Sequence, residues 1–399
     1  MFVADRIQQF NSNRIPVYAA IKYGIMANNP FCFFRGTAHL FYEDLSKAAV
    51  MPASPLTWVC GDLHLENFGS YKGDNRLVYF DLTDFDEGAL APATWELARM
   101  VSSIFTALAT MKADRKEMIT MGELFIKTYA TTLSKGRARY IEPQTASGIV
   151  KTFLDKVCKR RQKELIRERA IKKDDHLMLH IDQKRSFKID KQLKSALCDY
   201  VDRWLTERAN HHKRYRVIDA GFRIAGTGSI GVKRYIFLVE KQDTNGKFLL
   251  IDMKQSLPTA IQRYLPNQQP VWTTEAERIV ALQERMQNIS PALLGTANFN
   301  NDSYVIKEMQ PTADKIDFVT LANRYADIEQ VLKNMAMLTA SAQLRSSGRQ
   351  GAANADELIA FGNETNWIKP IIDYAYQYAK QVKNDYGEYV KAYKSGYFS

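Results

Sequence analysis

The sequence predicts an α+β fold in which helical segments at both ends of the chain flank a central antiparallel sheet. Three β-prone runs, at 217–225, 232–240 and 248–254, follow one another closely enough to form such a sheet. Helical periodicity covers 93–135 before these runs and 366–395 after them. A length of 399 residues favours two or three structural units.

The other elements follow from hydrophobic spacing and turn residues. A short strand is predicted at 56–60 and a second at 77–80, with a turn at 73–75 between them. Residues 140–212 are predicted to be mostly helical, basic and polar, and 243–246 to form a turn between two sheet strands. The remaining predictions are a helix–loop–helix over 1–50, a helix over 273–288, a strand over 303–308 and a helix over 318–345.

The composition excludes several protein classes. Hydrophobic residues at 46% and charged residues at 25% are ordinary for a globular protein, but not for collagen, a disordered chain or a coiled-coil rod. The apolar runs at 235–239 and 248–251 are far shorter than the roughly 18 residues of a membrane span. The N-terminus lacks the apolar core of a secretion signal, so we expect a cytoplasmic protein, with non-classical export left open. Four cysteines without a C-x-x-C pair favour free thiols.

The net charge of +11, from 55 Lys and Arg against 44 Asp and Glu, favours anionic partners such as nucleotides, phosphorylated small molecules, nucleic acids or acidic membranes. Part of the excess lies in residues 156–173, where only Glu164 and Glu168 oppose the basic side chains. We predict a basic helix there, either as a solvated face or as a surface for an anionic partner. Its basic residues are Lys156, Lys159, Arg160, Arg161, Lys163, Arg167, Arg169, Lys172 and Lys173.

Two acidic loops follow neighbouring strands and carry residue types suited to phosphoryl transfer. Asp62 and Asn67 follow the first strand, and Asp84 and Asp86 follow the second. Such a reaction needs one carboxylate near the attacking hydroxyl, and a second carboxylate with an amide oxygen to hold Mg²⁺ against the nucleotide phosphates. Two neighbouring loops can place these groups at one edge of a hairpin. The alternative is an ordinary hairpin whose turns are acidic.

The segment Gly226-Thr227-Gly228-Ser229-Ile230-Gly231 has the G-x-G-x-x-G pattern of a phosphate-binding loop. A strand follows it, whereas a helix follows the dinucleotide fingerprint, and the Gly-Lys-Ser/Thr of a Walker A loop is missing. A glycine loop between two strands is typical of the hairpin that covers the nucleotide in kinases. The next strand ends at Lys254, where a phosphate-binding lysine is expected.

The first constellation resembles the protein-kinase-like superfamily, in particular its aminoglycoside and choline kinase branch. The segment Gly61-Asp62-Leu63-His64-Leu65-Glu66-Asn67 matches the H-G-D-x-H-x-x-N loop of that branch, except that Cys60 replaces the first histidine. Asp84-Phe85 matches its metal-binding turn, and Glu96-Leu97-Ala98-Arg99 matches the helix that follows. The resemblance implies a two-lobe fold with a helical C-lobe and a small antiparallel-sheet N-lobe.

The resemblance also implies ATP and Mg²⁺ as cofactors and assigns roles to the acidic loops. Asp62 would be the catalytic base, and Asn67 and Asp84 metal ligands, with Asp81 as a rival to Asp84. Asp86 would be a further ligand or the cap of the next helix. His64 would contact phosphate or support its loop.

In the central sheet the resemblance implies a nucleotide site. Lys254 would bind the α- and β-phosphates and pair with Glu277, for which Glu275 and Glu284 are alternatives. The remaining predicted contacts to the nucleotide are Gly226, Gly228, Ser229 and Gly231 in the loop and Glu308 and Met309 at the hinge.

The order of the motifs differs from that of ordinary kinases, because the catalytic loop precedes the glycine loop. We therefore expect a circularly permuted fold, divided into C-lobe segments at 1–212 and 311–399 and an N-lobe at 213–310. This order, together with Phe33-Phe34-Arg35-Gly36, resembles the bacterial domain-of-unknown-function family 2252 over nearly the whole chain. Arg35 would be either a buried structural residue or a phosphate contact.

These features predict a phosphotransferase that uses ATP and Mg²⁺ and acts on a hydroxyl acceptor. A small-molecule acceptor is favoured, because no long peptide-binding insert separates Asp84 from Glu96. The alternatives are a nucleotidyl (AMP) transferase on the same fold and an inactive nucleotide-binding module. A nucleic-acid-binding protein ranks lowest, since no recognised motif is present.

Overall fold

The computed structural model describes residues 2–48, 51–174, 176–208, 215–242, 247–265, 267–311 and 313–398. Within these ranges the chain forms 13 α-helices and 12 strands, arranged as one six-stranded antiparallel sheet and three two-stranded antiparallel pairs. The predicted α+β class is confirmed. None of the helices in these ranges combines the length and the apolar character that a bilayer span requires.

The first part of the chain supplies four short helices, two strand pairs and two long helices. In chain order these elements are α1 (Val3–Phe10), α2 (Pro16–Met26), α3 (Pro30–Gly36), α4 (Ala38–Ser46), β1 (Leu56–Val59), β2 (Phe68–Lys72), β3 (Val78–Leu82), β4 (Ala89–Pro92), α5 (Ala93–Thr110) and α6 (Arg115–Ser134).

The rest of the chain supplies the large sheet, the helices that cover it and the C-terminal helices. These elements are α7 (Gly148–Cys158), α8 (Gln162–Arg169), β5 (Ala170–Lys173), β6 (His176–Leu179), β7 (Ser186–Phe187), α9 (Lys191–Arg208), β8 (Tyr215–Arg223), β9 (Arg234–Lys241), β10 (Lys247–Gln255), α10 (Glu275–Met286), β11 (Gly295–Phe299), β12 (Asp302–Met309), α11 (Tyr325–Ser346), α12 (Ala355–Asn363) and α13 (Ile368–Lys394).

The large sheet has the strand order β11-β12-β10-β9-β8-β7 and two faces of different character. Successive side chains of a strand point to opposite faces, so Ile251 and Met253 of β10 lie on one face and Asp252 and Lys254 on the other. Ile251 and Met253 pack with Leu197 of α9 in an apolar core. The face that carries Asp252 and Lys254 lines the cavity described below.

The helices pack around α5, of which residues 93–108 are all buried. Helices α6 and α13 contact α5 directly, and α11 packs against α6. Strand β1 is held on this helical core by Trp58, whose indole Nε1–H donates to the Arg349 carbonyl at 3.0 Å. The loop that follows β1 therefore starts from an anchored strand.

The segment 140–212, predicted to be mostly helical, also contains strands. β5 and β6 form a hairpin, and β7 joins the edge of the large sheet through Phe187, which pairs with Phe222. The continuous basic helix predicted over 156–173 is wrong, because α7 ends at Cys158, α8 begins at Gln162 and β5 follows at once.

Packing explains this division of the basic segment. Helix α8 buries Leu165 and Ile166 against Leu238 and Leu250 of the large sheet, so its charged residues remain on the other side. At the break before α8, Arg160 forms an ion pair with Asp314. The segment therefore covers one end of the sheet. That its exposed basic side chains form a surface for an anionic partner stays a prediction.

Two predictions fall outside the described residues. The turn predicted at 243–246 and the domain boundary predicted between 212 and 213 both lie in segments that the structure does not describe.

Helix α9 is expected to stabilise the large sheet through its apolar face. The Leu197→Ala variant removes a wholly buried side chain, with 0% exposure, and should lower the free energy of unfolding by about 2–5 kcal/mol in urea titrations. Leu77→Ala, at a position 51% exposed in the turn between β2 and β3, is the matched control and should change stability by less than about 1 kcal/mol. Equal losses in the two variants would contradict the assigned packing.

Candidate active site

Two cavities meet between the large sheet and the acidic loops. The outer cavity, of about 440 Å³, lies along the polar face of the sheet and is lined by Lys254, Lys307 and Met309 among others. The inner cavity, of about 70 Å³, lies beside Asp62. Asp84, Asp86 and Ser229 line both cavities and so mark the boundary between them. The outer cavity has the size of a small-molecule site.

The loop that carries Asp62 is held by two residues one turn apart on α5. Glu96 Oε1 accepts a hydrogen bond from the Cys60 N–H at 2.7 Å. Arg99, with 0% side-chain exposure, donates to Asp62 Oδ1 from Nε at 3.1 Å and from Nη2 at 2.8 Å. Helix α5 therefore fixes both the start of the loop and the direction of the Asp62 carboxylate.

Asn67 joins the two acidic loops to each other. Its Oδ1 accepts from the Asp84 N–H at 2.8 Å, and its Nδ2 donates to the carbonyls of Asp62 and Asp84, each at 3.2 Å. The side chain is buried. The structure thus places Asn67 between the two loops, while the predicted metal contact of its amide oxygen stays a prediction.

Asp84, Asp86 and Lys254 form the charged centre between the cavities. Lys254 Nζ contacts Asp86 Oδ2 and lies 3.7 Å from Asp84 Oδ1. Partial removal from water opposes ionisation of Asp84, whose side chain is still 55% exposed, but the charges of Lys254 and Lys307 outweigh it and lower the pKa of Asp84 to about 2. Burial and the neighbouring charge of Asp84 raise the pKa of Asp86. Asp84 is therefore the more firmly ionised of the two carboxylates.

A second charged group fixes the polar face of the sheet. The buried Asp252 carboxylate accepts from Arg234 Nε at 2.8 Å and Nη2 at 2.7 Å, and also pairs with Arg223. Burial disfavours the charged form of Asp252, but the two arginines hold its pKa far below the ordinary value. Lys307 lies opposite Asp252 in the β10–β12 register. Together these residues make the wall of the outer cavity rich in positive charge.

The glycine loop, between β8 and β9, approaches the N-terminal helices and the loop that carries Asp62. A Cβ atom on Gly228 would lie 4.0 Å from Asp62 Oδ2, so the loop covers Asp62 closely. The Gly231 carbonyl accepts from the Ile15 N–H at 2.9 Å. Gly231 has φ +94°, and a side chain there would meet Arg14, which explains the requirement for glycine.

The structure does not form the predicted pair between Lys254 and Glu277. Glu277 lies on the exposed side of α10, where its carboxylate accepts from the Thr273 N–H at 2.8 Å. The alternative Glu275 pairs with Arg278 of its own helix. The residues of α10 that line the outer cavity are Ile279 and Gln283. The Lys254 charge is instead compensated by Asp84 and Asp86.

Two further predicted site residues, His64 and Asp81, are buried and contact neighbouring protein groups. His64 is buried and its Nδ1 accepts from the Glu66 N–H at 3.1 Å, so it caps the short 3₁₀ turn of its own loop. Burial and the nearby Arg35 charge keep the pKa of His64 well below the ordinary value, so its ring is neutral. Asp81, the rival to Asp84, is buried beside Arg345 at 3.4 Å, and the residues that line the two cavities do not include it.

The predicted hinge residues lie at the outer cavity. Glu308 and Met309 both line it, and Glu308 forms an ion pair with Arg76 at 2.7 Å. Arg35 lines the inner cavity and pairs with Glu66 at 2.8 Å.

Sequence reasoning missed the cations that the N-terminal helices bring to the inner cavity. Arg14 precedes α2 and Lys22 lies within it, yet both line the cavity beside Asp62. Lys22 is only 1% exposed, and its Nζ donates to Asn11 Oδ1 at 3.0 Å and to the Gly228 carbonyl at 3.3 Å. No local pattern marks these residues, because only tertiary packing brings them to the site.

Comparisons with known proteins gave a single finding. A family model described as "Uncharacterized protein conserved in bacteria (DUF2252)" matches residues 14–392. No curated protein and no solved structure matches the chain. The matched range contains every residue that lines the two cavities except Phe10.

The buried position of Asp81 generates a prediction about pH. Burial, only partly offset by Arg345, raises the pKa of Asp81 to about 6. An acid whose pKa is higher in the folded than in the unfolded state stabilises the fold most below about pH 4, near its ordinary pKa. This contribution is lost as the pH rises from about 4 through about 6. Compared with wild type, Asp81→Asn should therefore gain roughly 1–3 kcal/mol of unfolding free energy between pH 4 and pH 7.

The measurement is a urea titration at several pH values, with Asp155→Asn on the surface of α7 as the control. Asp155 is 47% exposed at its side chain, so its variant should follow wild type across the whole range. A parallel pH profile for Asp81→Asn and wild type would show that Asp81 does not titrate as the burial implies.

Proposed function

We propose that this chain, which belongs to the DUF2252 family, is a phosphotransferase that uses ATP and Mg²⁺. One observation carries the proposal. Asp62, Asp84 and Lys254 are remote in sequence, yet they line two adjoining cavities with Asp84 at the boundary. In this proposal the outer cavity binds the nucleotide, the inner cavity binds the acceptor, and the transferred group passes between them.

The residues at the boundary fit a magnesium ion. Mg²⁺ in nucleotide sites is commonly held by one or two carboxylates together with substrate phosphates, and it neutralises the phosphate charge. Asp84 and Asp86 would hold it, since both carboxylates lie at the boundary of the two cavities, where the terminal phosphates would meet the acceptor. Among the described residues, clusters of three or more His, Cys, Asp or Glu with metal-site spacing are not found, so phosphate and water would complete the shell.

The outer cavity offers cations for the nucleotide phosphates. Lys254, Lys307 and Lys315 all line it, and partial burial lowers the pKa of Lys307. An ammonium group held at such a site gains by pairing with phosphate oxygens. Met309 lies at the end of β12 beside the same cavity, where backbone groups would form hydrogen bonds with the adenine of the nucleotide.

Asp62 is the proposed base for the acceptor. Arg99 makes both of its hydrogen bonds to the Asp62 carboxylate at Oδ1. The other oxygen, Oδ2, lies on the side of the inner cavity that Gly228 covers. A hydroxyl in the inner cavity would donate to Oδ2 and give its proton there as it attacks the terminal phosphoryl group. Arg99 holds the carboxylate in this direction and limits its mobility.

The same arrangement supports a circularly permuted kinase-like fold. The acidic loops come from an early helical part of the chain, and the glycine loop and Lys254 come from a sheet that follows it. Helices α11 and α13 then return to the helical part, where α11 contacts α6 and α13 contacts α5.

The proposal is tested by incubating the protein with Mg²⁺ and ATP labelled separately at the γ- and α-phosphate, and by following the label in protein and in metabolite extracts. Transfer of γ-label is the expected result. Transfer of α-label would replace the proposal with AMP transfer on the same site. If neither label is transferred, and equilibrium dialysis detects no Mg²⁺-dependent ATP binding, the proposal fails.

Variants at the two acidic loops should separate nucleotide binding from turnover. Asp84→Asn should abolish Mg²⁺-dependent ATP binding, because it removes the carboxylate between the cavities. Asp62→Asn should leave ATP binding within about twofold and reduce turnover about a hundredfold or more, as expected for loss of a general base. Both are measured by equilibrium dialysis and by γ-label release, and Asp373→Asn, on the exposed surface of α13, serves as the control. Normal turnover in a folded Asp62→Asn variant would contradict the role of Asp62.

A further inference from the structure

Lys22 of α2 joins the N-terminal helices to the glycine loop. Its side chain is only 1% exposed, and its Nζ donates to the Gly228 carbonyl at 3.3 Å and to Asn11 Oδ1 at 3.0 Å. Asn11 is also buried, and its Nδ2 donates to the Ile7 carbonyl at 2.7 Å. The ammonium group therefore has a fixed position from which it holds one carbonyl of the loop.

Two further hydrogen bonds hold the end of the same loop. Arg14 Nη1 donates to the Ile230 carbonyl at 2.6 Å, and the Ile15 N–H donates to the Gly231 carbonyl at 2.9 Å. Three of the four carbonyls in 228–231 are thus bound by one short N-terminal segment. The loop cannot move away from that segment without breaking these bonds.

The N-terminal segment is itself anchored on the large sheet beside the loop. The Tyr18 ring of α2 stacks on Phe222 of β8 with 4.4 Å between the ring centroids. It also contacts Phe187 of β7, with 5.1 Å between centroids. The groups that hold the glycine loop therefore come from a helix whose position is fixed relative to the strand that leads into the loop.

The same hydrogen bonds set the direction of the loop N–H groups. In a trans peptide the C=O and the following N–H point in opposite directions. Because the Gly228 carbonyl faces Lys22, the Ser229 N–H points away from that side chain, and the Gly231 N–H points away from Arg14 in the same manner. Neither N–H donates to another group in the described part of the chain. Ser229 lines both cavities, so the loop brings free donors to their boundary.

The charges of the two basic side chains are balanced within the inner cavity. The carboxylates of Asp62 and Glu87 line this cavity together with Arg14 and Lys22. The two cations therefore need no anionic ligand, and their described hydrogen bonds go to the loop carbonyls and to Asn11.

We propose that Arg14 and Lys22 are positioning residues, which hold the glycine loop over Asp62 with its N–H groups directed at the terminal phosphates of the nucleotide. The inference rests on the proposed phosphotransferase function and adds two residues to its site. Each side chain acts through a loop carbonyl and need not touch the nucleotide. A loop that is ordered in advance spares nucleotide binding the cost of ordering it.

The first test measures where a protease cuts the folded, full-length chain. Proteinase K is added under native conditions to wild type, Lys22→Met and Arg14→Met, and the fragments are identified by mass spectrometry. Both variants should be cut within 225–232 about tenfold or more faster than wild type, because cleavage follows the population of the opened loop and each variant lacks one charged hydrogen bond that closes it. Cleavage elsewhere should be unchanged.

The second test measures MgATP binding to the same proteins by equilibrium dialysis. The affinity should fall about tenfold or more in Lys22→Met and Arg14→Met, because the nucleotide must then order the loop, and fixing even one backbone residue has a cost of this size. Arg14→Lys keeps a cationic donor and should recover most of the loss. Lys47→Met, at a position 67% exposed near the end of α4, should match wild type in both tests.

Thermal unfolding checks that each variant is folded, and Arg14→Met, at a half-buried site, provides the reading if Lys22→Met does not fold. Unchanged cleavage within 225–232, or an equal increase at all cleavage sites, would overturn the positioning role. Faster cleavage of the loop with unchanged MgATP affinity would also overturn it. Faster cleavage of the loop in a protein whose wild type binds no MgATP would remove the phosphotransferase proposal and leave the hold on the loop standing.

Discussion

The candidate site depends on one buried carboxylate, that of Glu96. Its Oε1 accepts from the Cys60 N–H, and its Oε2 accepts from Gln343 Nε2 of α11 at 2.9 Å. Gln343 in turn accepts from the Tyr129 hydroxyl of α6. A chain of buried polar groups therefore ties the start of the loop that carries Asp62 to three helices, and each member satisfies the next. Burial raises the pKa of Glu96, and the hydrogen bonds from Cys60 and Gln343 oppose that shift.

The same helix then orients the loop. Arg99, one turn after Glu96, points its guanidinium at Asp62 and stacks on Phe34 with 3.5 Å between its central carbon and the ring centroid. Residues three apart on a helix lie on one face, so a single face of α5 holds both the backbone and the side chain of the loop. In the outer cavity Asp252 has the corresponding place between Arg223 and Arg234. The positions of the charged groups at the site are thus set by buried ion pairs behind them.

The sequence was sufficient for the parts of the site that are local. Asp62 and Asp84 lie shortly after strands and Lys254 lies near the end of one, and strand ends can be read from β-prone runs and turn residues. It was insufficient where packing decides. Several glutamates of α10 had similar spacing, but the residues of that helix at the cavity are Ile279 and Gln283, and the charge of Lys254 is compensated by the acidic loop itself.

The prediction of one continuous helix over 156–173 was wrong for a related reason. The charge and the i,i+4 spacing of this segment indicated one helix, whereas burial of Leu165 against the sheet and the pairing of β5 with β6 divide it. Tertiary contacts outweigh local helix propensity in this case, as they commonly do in short segments. The cavity residues of the N-terminal helices escaped notice for the same reason, since nothing near Lys22 in the sequence resembles a binding motif.

The C-terminal helix explains how those N-terminal residues are held in place. Tyr389 of α13 donates its hydroxyl to the Tyr23 carbonyl at 2.7 Å, directly after Lys22, and Tyr386 donates to the Ala27 carbonyl at 2.7 Å. Helix α2 is therefore fixed from behind by α13 while its Lys22 side chain reaches the glycine loop in front. The tyrosines of α13 thus act on the site without touching it, because they set the position from which Lys22 contacts the loop over Asp62.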